Sequence, residues 1–287
     1  MPAIKLLRER FPSAQLAILG VPHIASLADK RFYADSARSL DSALLARFFA
    51  AGSELPRDLS DYFANFDLIL SYLYDPDRIF EANVRRCTSA TFVRGPAKLD
   101  QSEHAAFQLA RPLEPLGLSP KDAAAQIFPN DGDRAAVRDL TPVTVFHPGS
   151  GSETKNWPIE NWIKLGDTLM ADGGEFLVVA GEADTARIAV LKSAWPGSAV
   201  RFAENLLLPQ LAALLEGKTF IGHDSGISHI AAAVGRRCLL LFGPSDPEVW
   251  APTSENVCVV QSRTGEMRDI SVAEVLAAVA VIKPRDR

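Results

Sequence analysis

Short apolar runs and amphipathic stretches alternate along almost the whole chain. Ile4, Leu7 and Phe11 fall at helical spacing among Lys5, Arg8 and Glu9, and Pro12 ends the helix they predict. Residues 15–19 form a brief apolar run closed by Gly20, which reads as a buried strand. The same alternation predicts strands over 68–71 and 90–93 and helices over 77–86 and 102–116. It then resumes with strands over 143–146, 175–180, 219–222, 237–242 and 257–261. Helices over 159–170, 184–194, 209–216, 226–234 and 272–281 fall between and after them. Apolar strands alternating with helices imply parallel sheets covered on both faces, an α/β fold.

The pattern thins between 117 and 141, where Pro120, Pro129 and the cluster Asn130-Asp131-Gly132-Asp133 appear. Two α/β halves are therefore expected, over 1–120 and 142–287, with 121–141 as linker. Small-molecule sites tend to lie in a cleft between such halves. At 287 residues and 47% hydrophobic, the chain can bury a sizeable core. A formal charge of −5 argues against a general affinity for polyanions, so no nucleic-acid partner is expected. Cys87, Cys238 and Cys258 are too dispersed for a disulfide framework or a zinc cluster, which fits a reducing cytoplasm and no metal. No apolar run approaches the ~18 residues of a membrane span.

Two loops carry candidate chemistry. The stretch His147-Pro148-Gly149-Ser150-Gly151-Ser152-Glu153-Thr154-Lys155-Asn156-Trp157-Pro158 joins a predicted buried strand to a helix. Its glycines and serines let backbone N–H groups approach an anion, and Lys155 can reach over it. Thr154 and Asn156 flank the lysine where a Walker A loop needs Gly and Ser or Thr, and the spacing fails G-x-G-x-x-G. The plainer alternative is an ordinary βα turn with a surface lysine. The second loop, Gly222-His223-Asp224-Ser225-Gly226-Ile227-Ser228-His229, again joins a strand to a helix. Asp224 or Ser225 can cap that helix, or the turn can bind a phosphate or ribose with His229 one turn on.

A Ser-His-Asp triad is not indicated, because G-x-S-x-G is absent and triad members converge from distant segments. Asp75-Pro76-Asp77 fits a helix cap better than a metal-binding D-x-D. His23 and His104 read as surface or packing residues. The four tryptophans read as core anchors, Trp157 with a second option of shelving a ring. Arg85, Arg86 and Arg94 cluster as a solvated face, or as a groove for an anionic acceptor.

Taken together, the two loops resemble glycosyltransferase family 9, the ADP-heptose:lipopolysaccharide heptosyltransferases. The resemblance is carried by His147-Pro148-Gly149-Ser150 with Lys155 and Trp157-Pro158, then Gly181-Glu182, Asp224-Ser225-Gly226 with His229, and Leu241-Phe242-Gly243-Pro244-Ser245, in family order. It implies two Rossmann-like domains facing across a cleft, the GT-B architecture. Ser150, Gly151 and Lys155 would bind donor phosphates. Asp224, Ser225 and Gly226 would hold the diphosphate and donor sugar, with His229 supporting that loop and Glu182 near the nucleoside. The implied reaction is inverting and metal-free, with no cofactor, and moves a sugar from ADP-heptose or a relative to a lipopolysaccharide-type or other glycan acceptor. The implied location is cytoplasmic, with room for peripheral contact at the inner membrane. Relatives carry a strand and a Gly-Asp loop ahead of the helix that here starts at Pro2, and the loop aspartate is their candidate base. The N-terminal domain is accordingly expected to be incomplete and no catalytic residue is assigned. The competing expectation is a catalytically silent sugar-nucleotide-binding protein of the same fold.

Overall fold

The computed structural model describes residues 1–121, 124–140, 144–197, 200–235 and 237–282. The chain divides into two compact units, Met1–Lys121 and Asp122–Arg287. Asp122, Ala123 and Thr141 of the expected linker, and Val143 at the start of an expected strand, lie outside the described residues.

The first unit runs α1 (Pro2–Arg10), β1 (Ala17–Gly20), α2 (Pro22–Ala25), β2 (Ser36–Ser39), α3 (Arg57–Ala64) and β3 (Leu68–Ser71). It continues with α4 (Ile79–Arg85), β4 (Thr91–Arg94) and α5 (Ala105–Ala110). The strands form two separate parallel pairs, β1 with β2 and β3 with β4. Ala3 and Leu7 of α1 are buried against Ala110, Leu113 and Leu118. The polar face holds Arg8, whose guanidinium ties the carbonyls of Ala14 and Tyr33 to the carboxylate of Asp35. On the other side, Phe48, Phe63 and Phe80 pack together beneath Ile69 and Phe92.

The second unit comprises α6 (Asp131–Ala136), β5 (Thr144–Phe146), α7 (Ile159–Ala171), β6 (Phe176–Ala180), α8 (Thr185–Ala194) and β7 (Arg201–Glu204). Then come α9 (Leu208–Leu215), β8 (Thr219–His223), α10 (Gly226–Val234), β9 (Cys238–Phe242), α11 (Pro247–Trp250), β10 (Val257–Gln261) and α12 (Val272–Ile282). Six parallel strands lie in the order β10-β9-β8-β5-β6-β7. The interior strands β6, β8 and β9 are buried at every residue, and β6 and β9 are the continuous apolar runs that a sheet covered on both faces requires. Helix α7 turns Trp162, Leu165, Gly166 and Leu169 toward the sheet, a spacing of three and four residues that forms one helical face. Gly166 is required there, because a β-carbon would sit 2.4 Å from the Trp195 ring.

Several expectations need correction. Residues 124–140 are not a free linker: α6 is folded onto the second unit, with Arg134 paired to Glu216 and the Ile127 N–H bonded to the Ala233 carbonyl. Asn130 and Asp133 close a reciprocal cap at its start. The helix expected over 102–116 begins at Ala105, capped by the His104 ring, and tightens to a 3₁₀ turn over Arg111–Leu116. Pro112 and Pro115 lack the N–H groups that an α-helix would use there. Asp75 caps α4 by accepting from Phe80 and Glu81, so the helix starts at Ile79 rather than 77. Trp157 shelves no ligand, being wholly buried with its indole N–H on the Ile270 carbonyl at 2.8 Å. Of the clustered arginines, Arg94 lines a cavity of about 230 Å³ with Tyr74, Asp75 and Phe92, and all three arginines are tied within the unit. Arg85 and Arg94 pair with Glu81, and Arg86 binds the Ser53 carbonyl and the Asn83 side chain.

Candidate functional site

In the second unit β5 comes first in the chain and pairs with β6 on one side and β8 on the other. The loops leaving neighbouring strands at such a reversal diverge to opposite faces and open a crevice at the carboxyl ends. The loops in question are those singled out by the sequence. One follows Phe146, the other follows His223, and Phe146 and Ile221 are paired across the two strands.

A side-chain ion pair spans the crevice above the strand ends. Lys155 Nζ donates to Asp224 Oδ2 at 2.5 Å, joining residues 69 apart in sequence. Asp224 therefore does not cap α10. That role falls to Ser225, whose hydroxyl accepts from the Ser228 N–H. The Ser228 hydroxyl in turn bonds the Ser225 hydroxyl and donates to the His223 carbonyl, bracing the turn from beneath. His229 is exposed on α10, and the buried Ser228 beside it braces the loop from beneath. Gly226 and Ile227 occupy the first turn of α10, where N–H groups have no partner within the helix and add positive potential.

On the facing loop, Ser150 folds back, donating to the Ser152 carbonyl at 2.8 Å and accepting from its N–H. Gly151 is exposed, and a β-carbon on it or on Gly226 would meet no protein atom within 4 Å. Packing within the chain thus does not dictate glycine at either place. Gly149 differs sharply, since its β-carbon would fall 1.7 Å from Asp184 Oδ1. Glu182 is exposed on the turn after β6, the strand next to β5 on the side away from β8. The structure therefore brings Ser150, Gly151, Lys155, Asp224, Ser225 and Gly226 to adjacent strand ends, with Glu182 one strand further over.

A buried polar layer under the loops has no counterpart in the sequence reading. His147, Asp184 and His223 are each at most 6% exposed. Asp184 Oδ2 accepts the Gly181 N–H at 2.9 Å and lies 3.6 Å from His147 Nε2. Burial opposes ionisation of Asp184, but these two contacts and the charge of Arg187 outweigh it and hold its carboxyl below the usual range. His223 Nε2 accepts the Trp157 N–H at 3.0 Å, and Nδ1 faces the Gly149 carbonyl at 3.4 Å. Burial drives the His223 pKa down to about 3, keeping the ring neutral. Arg187 also closes the first loop from outside by pairing with Glu153. The signal that could have exposed this layer is a polar residue at the end of an otherwise apolar strand, which needs a buried partner.

Among the described residues no group of three or more His, Cys, Asp or Glu side chains is placed to hold a metal ion, and no helix is long and apolar enough to cross a membrane.

The family model described as "Glycosyltransferase family 9 (heptosyltransferase)" matches residues 32–279. The chain belongs to this glycosyltransferase family. Lipooligosaccharide heptosyltransferase 2 of Haemophilus influenzae is 29% identical over 140 residues, covering 47% of this chain and 40% of that protein. Lipopolysaccharide heptosyltransferase 2 of Salmonella typhimurium is 28% identical over 167 residues, covering 56% and 47%. The chain thus spans about half the length of the curated family 9 relatives it matches, or less. In three dimensions the likeness is fuller. The family 9 glycosyl transferase structure from Veillonella parvula superposes with a TM-score of 0.77 at 16% identity, covering 98% of this chain and 91% of that one. ADP-heptose lipopolysaccharide heptosyltransferase II of Escherichia coli gives 0.74 at 17% identity, covering 98% and 93%. These likenesses show the fold, and the α/β GT-B class expected from the family motifs is borne out.

Proposed function

We propose that this chain is an inverting glycosyltransferase that takes a sugar, heptose in the first instance, from an ADP-sugar and passes it to a lipopolysaccharide-core or related glycan. The observation that carries the reading is the Lys155–Asp224 contact across the strand reversal, beside the first-turn N–H groups of α10. That arrangement offers a diphosphate one mobile cation and a row of fixed donors. As the donor binds, the Lys155 ammonium moves to a phosphate oxygen, and Asp224 is released to accept hydroxyls of the donor sugar. Ser150 and Gly151 supply further loop donors to the phosphates, and Glu182 reaches the ribose side of the nucleoside.

The acceptor hydroxyl oxygen bonds to the anomeric carbon while the bond from that carbon to the phosphate oxygen breaks. The electron pair leaves with ADP and the hydroxyl proton passes to a carboxylate base, which is not assigned to a residue of this chain. Charge grows on the departing phosphate, where Lys155 and the α10 N-terminus already point, so stabilisation is strongest in the transition state. The first unit supplies the acceptor site in this reading. A lipid-anchored acceptor would bring the protein to the inner face of the cytoplasmic membrane as a peripheral visitor.

The relatives named as lipopolysaccharide or lipooligosaccharide heptosyltransferases support this donor and acceptor class. Support also comes from the likeness to an E. coli heptosyltransferase determined with ADP, at a TM-score of 0.73. The test is calorimetry with ADP and ADP-heptose, followed by ADP release in the presence of a heptose-deficient lipopolysaccharide core. The expected result is binding of both nucleotides and acceptor-dependent release. Binding without release under any acceptor would favour a silent sugar-nucleotide-binding protein, and absence of binding would sink both readings.

A further inference from the structure

We propose that His223 is a positioning residue for the donor, tying both ends of the 149–157 loop to the strand that delivers Asp224. This rests on the donor site proposed above and gives a role to a residue of the second loop that the sequence reading left without one. Strand β8 ends at His223, so its backbone leads directly into Asp224 while its ring points back beneath the opposite loop. Trp157 N–H donates to Nε2, which fixes the neutral tautomer with the proton on Nδ1. That proton faces the Gly149 carbonyl. One ring therefore spans the loop at its entrance and its exit, and the segment between them carries Ser150, Gly151 and Lys155.

The ring is itself held. Trp162 packs edge-on against it, with centroids 5.4 Å apart, and Trp162 also meets Trp157 at 5.5 Å. The His223 carbonyl accepts from Ser228, which braces the Asp224–Ser225 turn. A single residue thus links the loop bearing the cation, the turn bearing its carboxylate partner and the first turn of α10. Because the ring stays neutral far below pH 7, this bond pattern does not change across the physiological range. An apolar residue of the same size would fill the space but leave the buried Trp157 N–H without an acceptor. The loop would then have to move for that group to reach water.

The decisive comparison uses His223→Phe, which keeps a packed ring without nitrogens, and His223→Gln, which restores an acceptor for Trp157 and a donor for Gly149. Two quantities are read on the full chain: exchange of the Trp157 amide without ligand, and ADP affinity by calorimetry. His223→Phe should exchange that amide and bind ADP about tenfold worse or more, while His223→Gln returns both toward the parent. Parent-like values in a folded His223→Phe overturn the proposal. If that variant does not fold, His223→Asn replaces it, being too short to reach Trp157, and ADP affinity equal to that of His223→Gln at matched melting temperature overturns it as well. No ADP binding by the parent chain sinks the donor reading itself. Loss of any dependence of Trp157 exchange on His223 sinks only the positioning role.

Discussion

Lys155 and Asp224 meet with unequal exposure, the lysine side chain 36% accessible and the carboxylate 10%. With the carboxylate largely buried and the lysine partly open, the pair lies between a surface bridge, worth about 0–1 kcal/mol, and a buried one, and a phosphate can replace the carboxylate as the lysine's partner. Lys155→Ala should weaken ADP binding by about 1.5–3 kcal/mol, a charge-assisted hydrogen bond's worth, with the melting temperature nearly unchanged. The substitution also leaves the Asp224 charge facing the incoming diphosphate, so adding Asp224→Asn should recover part of the loss in the same titration. Unchanged affinity in the single variant would return the loop to an ordinary βα turn. Both residues were legible in the sequence, because each sits inside a short motif whose chemistry is local. His223, His147 and Asp184 were not. Their meaning arises only when β5, β6 and β8 lie side by side, and no spacing along the chain encodes that.

Elements were legible where burial made them uniform. Phe176–Ala180 and Cys238–Phe242 are unbroken apolar runs in the middle of a parallel sheet, and nothing competes with that reading. Strands Ser36–Ser39 and Arg201–Glu204 escaped because they are edge strands with charged and small residues that resemble loop. Helix α6 escaped for a different reason: it has six residues and owes its start to the Asn130–Asp133 cap rather than to a repeating apolar face. The β5–α7 connection gives a clean contrast between two of its own glycines. Gly149→Ala forces a methyl group into Asp184 and should cost about 1–3 kcal/mol in urea denaturation. Gly151→Ala meets nothing within the chain and should change stability by no more than about 0.5 kcal/mol. Equal losses at the two positions would mean that the Asp184 contact does not shape the loop.

At the scale of the molecule, an extensive buried cluster around Phe146, Trp157, Trp162 and Leu239 lies wholly in the second unit. Among the described residues, the first unit spreads its buried side chains over smaller clusters, around Phe48, around Leu113 and around Tyr33. Calorimetric unfolding should therefore show two transitions, the first unit melting earlier. ADP at about a hundred times its dissociation constant should add about 2.7 kcal/mol to the later transition alone. A single transition, or an equal shift of both, would contradict that division. The second half was also the more legible one, since its motifs stand at strand ends, whereas the first half offered capping and pairing signals that many folds share. The small sheets of the first unit have a consequence for the life of the protein in a crowded cell. Among the described residues, β1–β2 and β3–β4 have two strands apiece and leave each strand partnered on one side only, whereas the six-stranded sheet ends at just β7 and β10. Open ladders of this kind are templates for recruitment, and one chain caught half-made can zip onto the next. The unit expected to self-associate first is therefore the one without the donor loops.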